Sequence, residues 1–189
     1  MDIHNEYRLI AEIRSGKKEA FAELVEPLIA KSYQTALTIL RSSHLAEEAV
    51  QNALLESYKL IREGKEIRHF HGWFSRVIAN RALDLVRKES RYTNGLDIDN
   101  VLVHDTSATP IEEVLKKEQS SQVISAVMSL ELQQRTVIVL YYFQEMKIEE
   151  IAALLHISEG NVKTRLYRAR TSLSKIMSIP ELNAKVVRV

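Results

Sequence analysis

A chain of 189 residues with 46% hydrophobic residues can bury one medium core or two small ones. The absence of cysteine excludes disulfides and thiolate metal sites and points to a reducing compartment, while five glycines and three prolines are too few for the turns of an all-β fold. With 26 basic and 25 acidic residues the net charge is +1, so the total says nothing about a polyanionic partner and only the distribution can.

The first residues, MDIHNEYRLIAEI, carry charges where a signal peptide needs an apolar run. No segment approaches the ~18 apolar residues of a membrane span. A soluble, cytoplasmic protein is therefore expected. From about Lys18 to Arg91 the pattern is helical: Phe21, Leu24, Val25 and Leu28 recur at helical spacing, as do Ala49, Leu54 and Tyr58. Within this stretch, Arg62 to Tyr92 holds eight basic and four acidic residues. The segment FHGWFSRVIANRALDLVRKESR predicts a helix with Phe74, Ile78, Ala82 and Leu85 on its core side. Arg76, Asn80, Arg87 and Arg91 lie opposite, with Asp84 among them and Trp73 near the boundary. Cations and an amide beside an aromatic suit a partly unstacked DNA strand, with phosphates on the cations and a base on the amide or ring. On these residues alone a solvated face with a core tryptophan fits equally well.

Thr93-Asn94-Gly95 breaks the helical pattern, and Thr93 to Glu118 is acidic, with six carboxylates against Lys116 and Lys117. This reads as a linker. Thr109-Pro110 predicts a new helix start, with Glu112 and Glu113 in its first turn. The run TVIVLYYF, Thr136 to Phe143, is β-branched and aromatic, but its helical neighbours and the shared face of Val137, Leu140 and Tyr141 favour a helix.

In KIEEIAALLHIS, Ile148, Ile151, Ala152 and Leu155 form one apolar face, and Ser158 stands where an N-cap belongs. A second helix follows, EGNVKTRLYRARTSL, so the segment predicts a helix-turn-helix. On its wheel Val162, Leu166, Ala169 and Leu173 face the core. Thr164, Tyr167, Arg168 and Thr171 lie opposite, Asn161 and Lys163 at the edges, and Arg165 and Arg170 flank the core arc. A helix with such a face fits the DNA major groove, where Arg or Lys reads guanine edges and Thr meets a thymine methyl. The flanking arginines are better placed for phosphates.

The run LELQQRTVIVLYYFQEMKIEEIAALLHISEGNVKTRLYRARTSL closely resembles the C-terminal promoter-reading domain of the extracytoplasmic-function (ECF) sigma factors of the sigma-70 superfamily. Where relatives carry Leu-Pro before the first of these helices, this chain has Leu130-Glu131. The resemblance implies that Lys163, Thr164, Tyr167 and Arg168 contact bases of the upstream (−35) element, with Asn161 and Arg165 beside them. The family pattern W-x-x-x-I-x-x-N-x-x-x-D-x-x-R is matched by Trp73, Val77, Asn80, Asp84 and Arg87, with Ile78 displaced by one. This implies that Trp73, Arg76, Asn80 and Arg87 open and hold the downstream (−10) element. The preceding loop, Gly64 to Gly72, then corresponds to the one that captures a flipped-out base, with Lys65, Arg68, His69 and Phe70 offering charge, hydrogen bonds and stacking. LAEEAVQNALLESYKL is similar to the polymerase-binding helix through Ala46, Glu47, Glu48 and Gln51. Leu45 stands where Asp is common and Asn52 where Glu is common.

The expectation is an all-α protein of two small helical domains joined by an extended linker: 1–92, 93–110 and 111–189, the last carrying the helix-turn-helix. The expected partners are core RNA polymerase and promoter DNA, both double-stranded and melted. The resemblance adds an anti-sigma protein as a plausible inhibitor. No enzyme activity, cofactor or small-molecule substrate is expected. The six histidines show no metal-ligand spacing, and no P-loop, nucleophile triad or carboxylate pair stands out. A conventional helix-turn-helix regulator, binding DNA without polymerase, would explain the last third equally well but not the Trp73 to Arg91 helix.

Overall fold

The computed structural model describes residues 3–92 and 118–177. The linker and the helix start expected at Pro110 lie outside the described residues. Within them the chain is all-α, in two helical clusters. The first contains α1 (Ile3–Arg14), α2 (Glu19–Leu40), α3 (Ser43–Arg62) and α4 (Phe70–Tyr92). The second contains α5 (Glu118–Met128), α6 (Leu132–Ile138), a π-helical turn (Val139–Phe143), α7 (Ile148–Leu155) and α8 (Glu159–Met177).

Local chemistry sets the boundaries. Helix α2 runs through Pro27, whose missing N–H removes one ladder bond from a helix otherwise held by burial. It ends at Arg41, in the left-handed region at φ 54°, whose N–H donates to Leu37 O at 2.8 Å. The Ser42 hydroxyl then accepts from Leu45 N at 3.3 Å and caps α3. In α4 the predicted stripe is buried: Phe74, Ile78, Ala82 and Leu85 are each at most 6% exposed. They meet Leu9 and Ile13 of α1, Leu24 and Ile39 of α2 and Ile61 of α3 in one apolar core.

The Thr136 to Phe143 run is helical, as its neighbours suggested, but its last turn is widened. Gln144 N donates to Val139 O at 3.1 Å, five residues back. Val137, Ile138, Val139 and Leu140 are all buried because this element packs on α2 as well as on α8. Burial on every side explains why the sequence lacked a clean period there.

The two clusters also meet along a seam. The Arg135 side chain of α6 is fully buried. Its Nε and Nη2 donate to Ile39 O at 3.3 and 3.0 Å, and its Nη1 donates to Leu130 O at 2.6 Å. Ile39 belongs to the last turn of α2, where carbonyls lack helical partners and the helix dipole favours a cation. Arg41 Nη2 reaches the same Leu130 carbonyl at 2.9 Å. Gln144 donates to the Thr35 hydroxyl, and Arg76 of α4 pairs with Glu150 of α7.

Candidate nucleic-acid interface

The C-terminal surface is built on α7 and α8. The Glu150 carboxylate accepts from Lys147 N at 3.0 Å and starts α7. Helix α7 stops at His156, a left-handed residue at φ 55°, and Ile157 N donates to Ala152 O at 3.0 Å to close the turn. The Ser158 hydroxyl accepts from Asn161 N at 3.2 Å, the predicted cap. Val162, Leu166, Ala169 and Leu173 are buried and lock the rotation of α8. That leaves Asn161, Lys163, Thr164, Tyr167 and Arg168 exposed on one side, with Tyr167 at 56%. The Thr164 hydroxyl donates to Gly160 O at 2.9 Å, so its proton is already committed to the backbone. Arg165 is half-buried at the flank.

Arg170 is held in place by aromatics. Its Nε donates to the Tyr142 hydroxyl at 2.9 Å, and its guanidinium lies 5.7 and 5.5 Å from the Tyr141 and Tyr142 ring centres. These residues wall an open cleft of roughly 290 Å³ that continues to Lys163, Thr164 and Tyr167.

The second surface lies on α4 and the loop before it. Arg76, Asn80 and Arg87 are exposed, and Trp73 is half-buried. Asp84 accepts from Arg81 and from Arg87, each at 3.0 Å. Arg81 also donates to Glu56 at 2.8 Å, a hydrogen bond that raises its pKa above the usual arginine range. Asp84, the acid of the family pattern, therefore orders two arginines rather than facing outward alone. In the loop Lys65, Arg68 and His69 are exposed. Phe70 departs from expectation. It is fully buried, its ring stacked on Phe74 at 5.5 Å and tilted against Trp73 at 5.8 Å. Phe70 opens α4 and anchors it in the core, so it presents no face for a base. Sequence alone could not tell a stacking aromatic in a loop from the first core residue of a helix. Arg76 and Asn80 look across a cleft of roughly 450 Å³ toward Glu150, Leu154 and His156.

The third surface is the outer side of α3. Glu47, Gln51 and Asn52 are exposed and Glu48 is half-buried. Leu55, which sequence reasoning missed, is 70% exposed and continues the line of Glu47 and Gln51 at four-residue steps. A leucine at i+4 from a solvated glutamine, away from the apolar stripe, was the available signal.

Residues 24–92 match the family described as Sigma-70 region 2, and residues 120–173 match Sigma-70, region 4. The chain is 33% identical over 175 residues to the ECF RNA polymerase sigma factor SigW of Bacillus subtilis (strain 168), covering 88% of this chain and 93% of that protein. It belongs to the ECF sigma factor family. The ECF sigma factor SigM of the same Bacillus strain is 30% identical over 146 residues, covering 76% of this chain and 86% of that protein. The fold of this sigma factor is shared with CnrH, solved in complex with the cytosolic domain of CnrY. That match has a TM-score of 0.58 and 23% identity, over 93% of this chain and 99% of that one. It is shared too with the sigma factor RpoE of Bartonella quintana, solved with the anti-sigma factor NepR, at a TM-score of 0.63 and 21% identity over 85% and 98% of the two chains.

The sigma factor directs RNA polymerase to promoters and is not itself an enzyme. Membership removes the rival reading as a regulator that works without polymerase. Among the described residues no group of three or more His, Asp or Glu side chains could hold a metal ion, and no helix is long and apolar enough to cross a membrane.

Proposed function

We propose that this sigma factor divides promoter recognition among its three surfaces. Helix α8 enters the major groove of the upstream element, with Lys163, Thr164, Tyr167 and Arg168 toward the bases and Asn161 and Arg165 toward the backbone. The α4 face, through Trp73, Arg76, Asn80 and Arg87, holds the opened strand of the downstream element, and Lys65, Arg68 and His69 surround an unpaired base. Glu47, Glu48, Gln51 and Asn52 dock on core polymerase around Leu55. Residues 1–92 and 111–189 act as the two reading domains, and 93–110 is the linker between them. An anti-sigma protein is a fitting inhibitor, since RpoE of Bartonella quintana was solved with one.

The observation that carries this reading is the α8 face. Four buried residues fix its rotation, and its exposed side holds cations and hydrogen-bonding groups with Glu159 as the acid at its start. Such a helix can approach a polyanion and still discriminate bases.

The test separates base reading from phosphate anchoring. A bidentate base contact is worth about 1–3 kcal/mol of discrimination. A phosphate contact adds affinity on every sequence and about one unit of salt slope. Transcription by holoenzyme across all single-base variants of a promoter, at several salt concentrations, reads both. Arg168→Ala relaxes preference at one or two upstream positions. Arg165→Ala lowers all promoters about equally and flattens the salt dependence. If Arg168→Ala scales every promoter by one factor with the ranking intact, Arg168 is an anchor and the assignment of this face is wrong.

A further inference from the structure

The loop from Gly64 to Phe70 is held from outside its own neighbourhood. Its exposed side chains, Lys65, Arg68 and His69, face away from the protein while its backbone faces α1. Arg14 Nη2 donates to Lys65 O at 2.8 Å and to Gly64 O at 3.4 Å. The Tyr7 hydroxyl donates to Arg68 O at 3.0 Å. The Glu6 carboxylate accepts from Phe70 N at 3.1 Å, the first N–H of α4. Three side chains of one helix thus take both ends and the middle of the loop. They lie within an arc of about 100° at the helical step.

Helix α1 can do this because it is itself fixed at both faces. Leu9, Ile10 and Ile13 are buried against the core, and Arg62 Nη1 of α3 donates to Ile13 O and Arg14 O at 3.1 and 3.2 Å. A cation on the last carbonyls of α1 favours the negative end of its dipole, and the Glu6 carboxylate does the converse for the start of α4. Gly64 sits at φ 82°, so the loop leaves α3 through a conformation that only glycine adopts without strain. Beyond Gly64 the loop is short and bears exposed cations, and its own side chains do not fix the directions of its carbonyls.

We infer that α1 is the brace of the base-capture loop, and that Glu6, Tyr7 and Arg14 are positioning residues that set which unpaired base the loop accepts. The inference rests on the reading that Lys65, Arg68 and His69 surround such a base. A pocket that must return the cost of unstacking by directional contacts needs its donors held to a fraction of an ångström. Backbone anchors at Lys65, Arg68 and Phe70 supply that from residues that never touch DNA.

The experiment uses holoenzyme and a single-stranded oligonucleotide of the non-template downstream element, with each of the four bases placed in turn at each unpaired position. Losing one anchoring hydrogen bond reduces discrimination at one position by about threefold to tenfold. Tyr7→Phe and Arg14→Ala are expected to do so while core-polymerase binding and upstream-element preference stay unchanged. Glu6→Ala behaves alike, and Glu6→Gln, which keeps an acceptor for Phe70 N, restores the wild-type profile. The inference is overturned if these variants weaken all four bases equally at every position, which is the mark of a general loss of folded protein. It is also overturned if they leave the profile untouched while Lys65→Ala, Arg68→Ala and His69→Ala change it. Should the three loop variants themselves leave base preference intact, the underlying reading of the loop fails first, and α1 is a structural helix only.

Discussion

The interior of α1–α4 and the seam between the two clusters solve the same problem with opposite chemistry. The interior is apolar: Leu9, Ile13, Leu24, Ile39, Ile61 and Ile78 are all 0% exposed. The seam is polar. It centres on the buried guanidinium of Arg135, with Arg41, Thr35, Gln144 and the Arg76–Glu150 pair around it. Two of its buried atoms, Arg41 Nε and Gln144 Oε1, have no hydrogen-bond partner among the described residues. Burying a polar atom unpaired costs about 1–3 kcal/mol, whereas apolar area gains about 25 cal/mol per Å² without any directional demand. An interior that forms once and stays is built from the second. Contacts between units that also have surfaces to present elsewhere are typically built from the first.

The comparison breaks most readily at Ile78. Ile78→Ala opens a cavity in the α1–α4 interior and is expected to cost about 2–5 kcal/mol. Native-state hydrogen exchange should show lost protection across α2, α3 and α4 together. Arg135→Ala comes next, at about 2–4 kcal/mol, since it vacates a buried site and strips two carbonyls of their donors. Its exchange signature should be local, confined to α6 and the last turn of α2. If both variants loosen the whole chain alike, seam and interior are one cooperative body and the contrast is void. The smallest effect belongs to Glu150→Gln. The Arg76–Glu150 pair is partly solvated, with side chains 49% and 31% exposed. Such pairs are worth about 0.2–1 kcal/mol, and a change near that size that fades in high salt is expected in thermal unfolding. A larger, salt-independent loss would move this pair into the class of buried contacts.

Much of this was legible in the sequence because it follows from period and capping chemistry. The stripe of α4, the buried side of α8 and the Ser158 cap are all visible there as spacing and residue type. Family motifs supplied the rest of the candidate surfaces. What escaped depended on distance in the chain. Arg135 looked like one more surface cation of an amphipathic helix, because its partner carbonyl lies 96 residues away at Ile39. Phe70 was assigned to a loop because helix starts without a local cap carry no signature, and the group receiving its N–H is Glu6, 64 residues upstream. Leu55 was silent for the reverse reason: its meaning lies in its exposure, and a helical wheel records only which residues are expected to be covered.

The widened turn at Val139–Phe143 fixes the phase between the two halves of the C-terminal unit. A π turn carries one residue more than the α turn it replaces, so it swings everything beyond it by about 100° relative to a regular helix. Before it stands Arg135, committed to the end of α2; within it stand Tyr141 and Tyr142, committed to Arg170 on α8. A regular helix would satisfy one commitment and turn the other away. Shortening the turn by a single residue is therefore a rotation rather than a loss of contacts. It leaves helix content nearly unchanged while uncoupling Arg170 from its aromatic clamp.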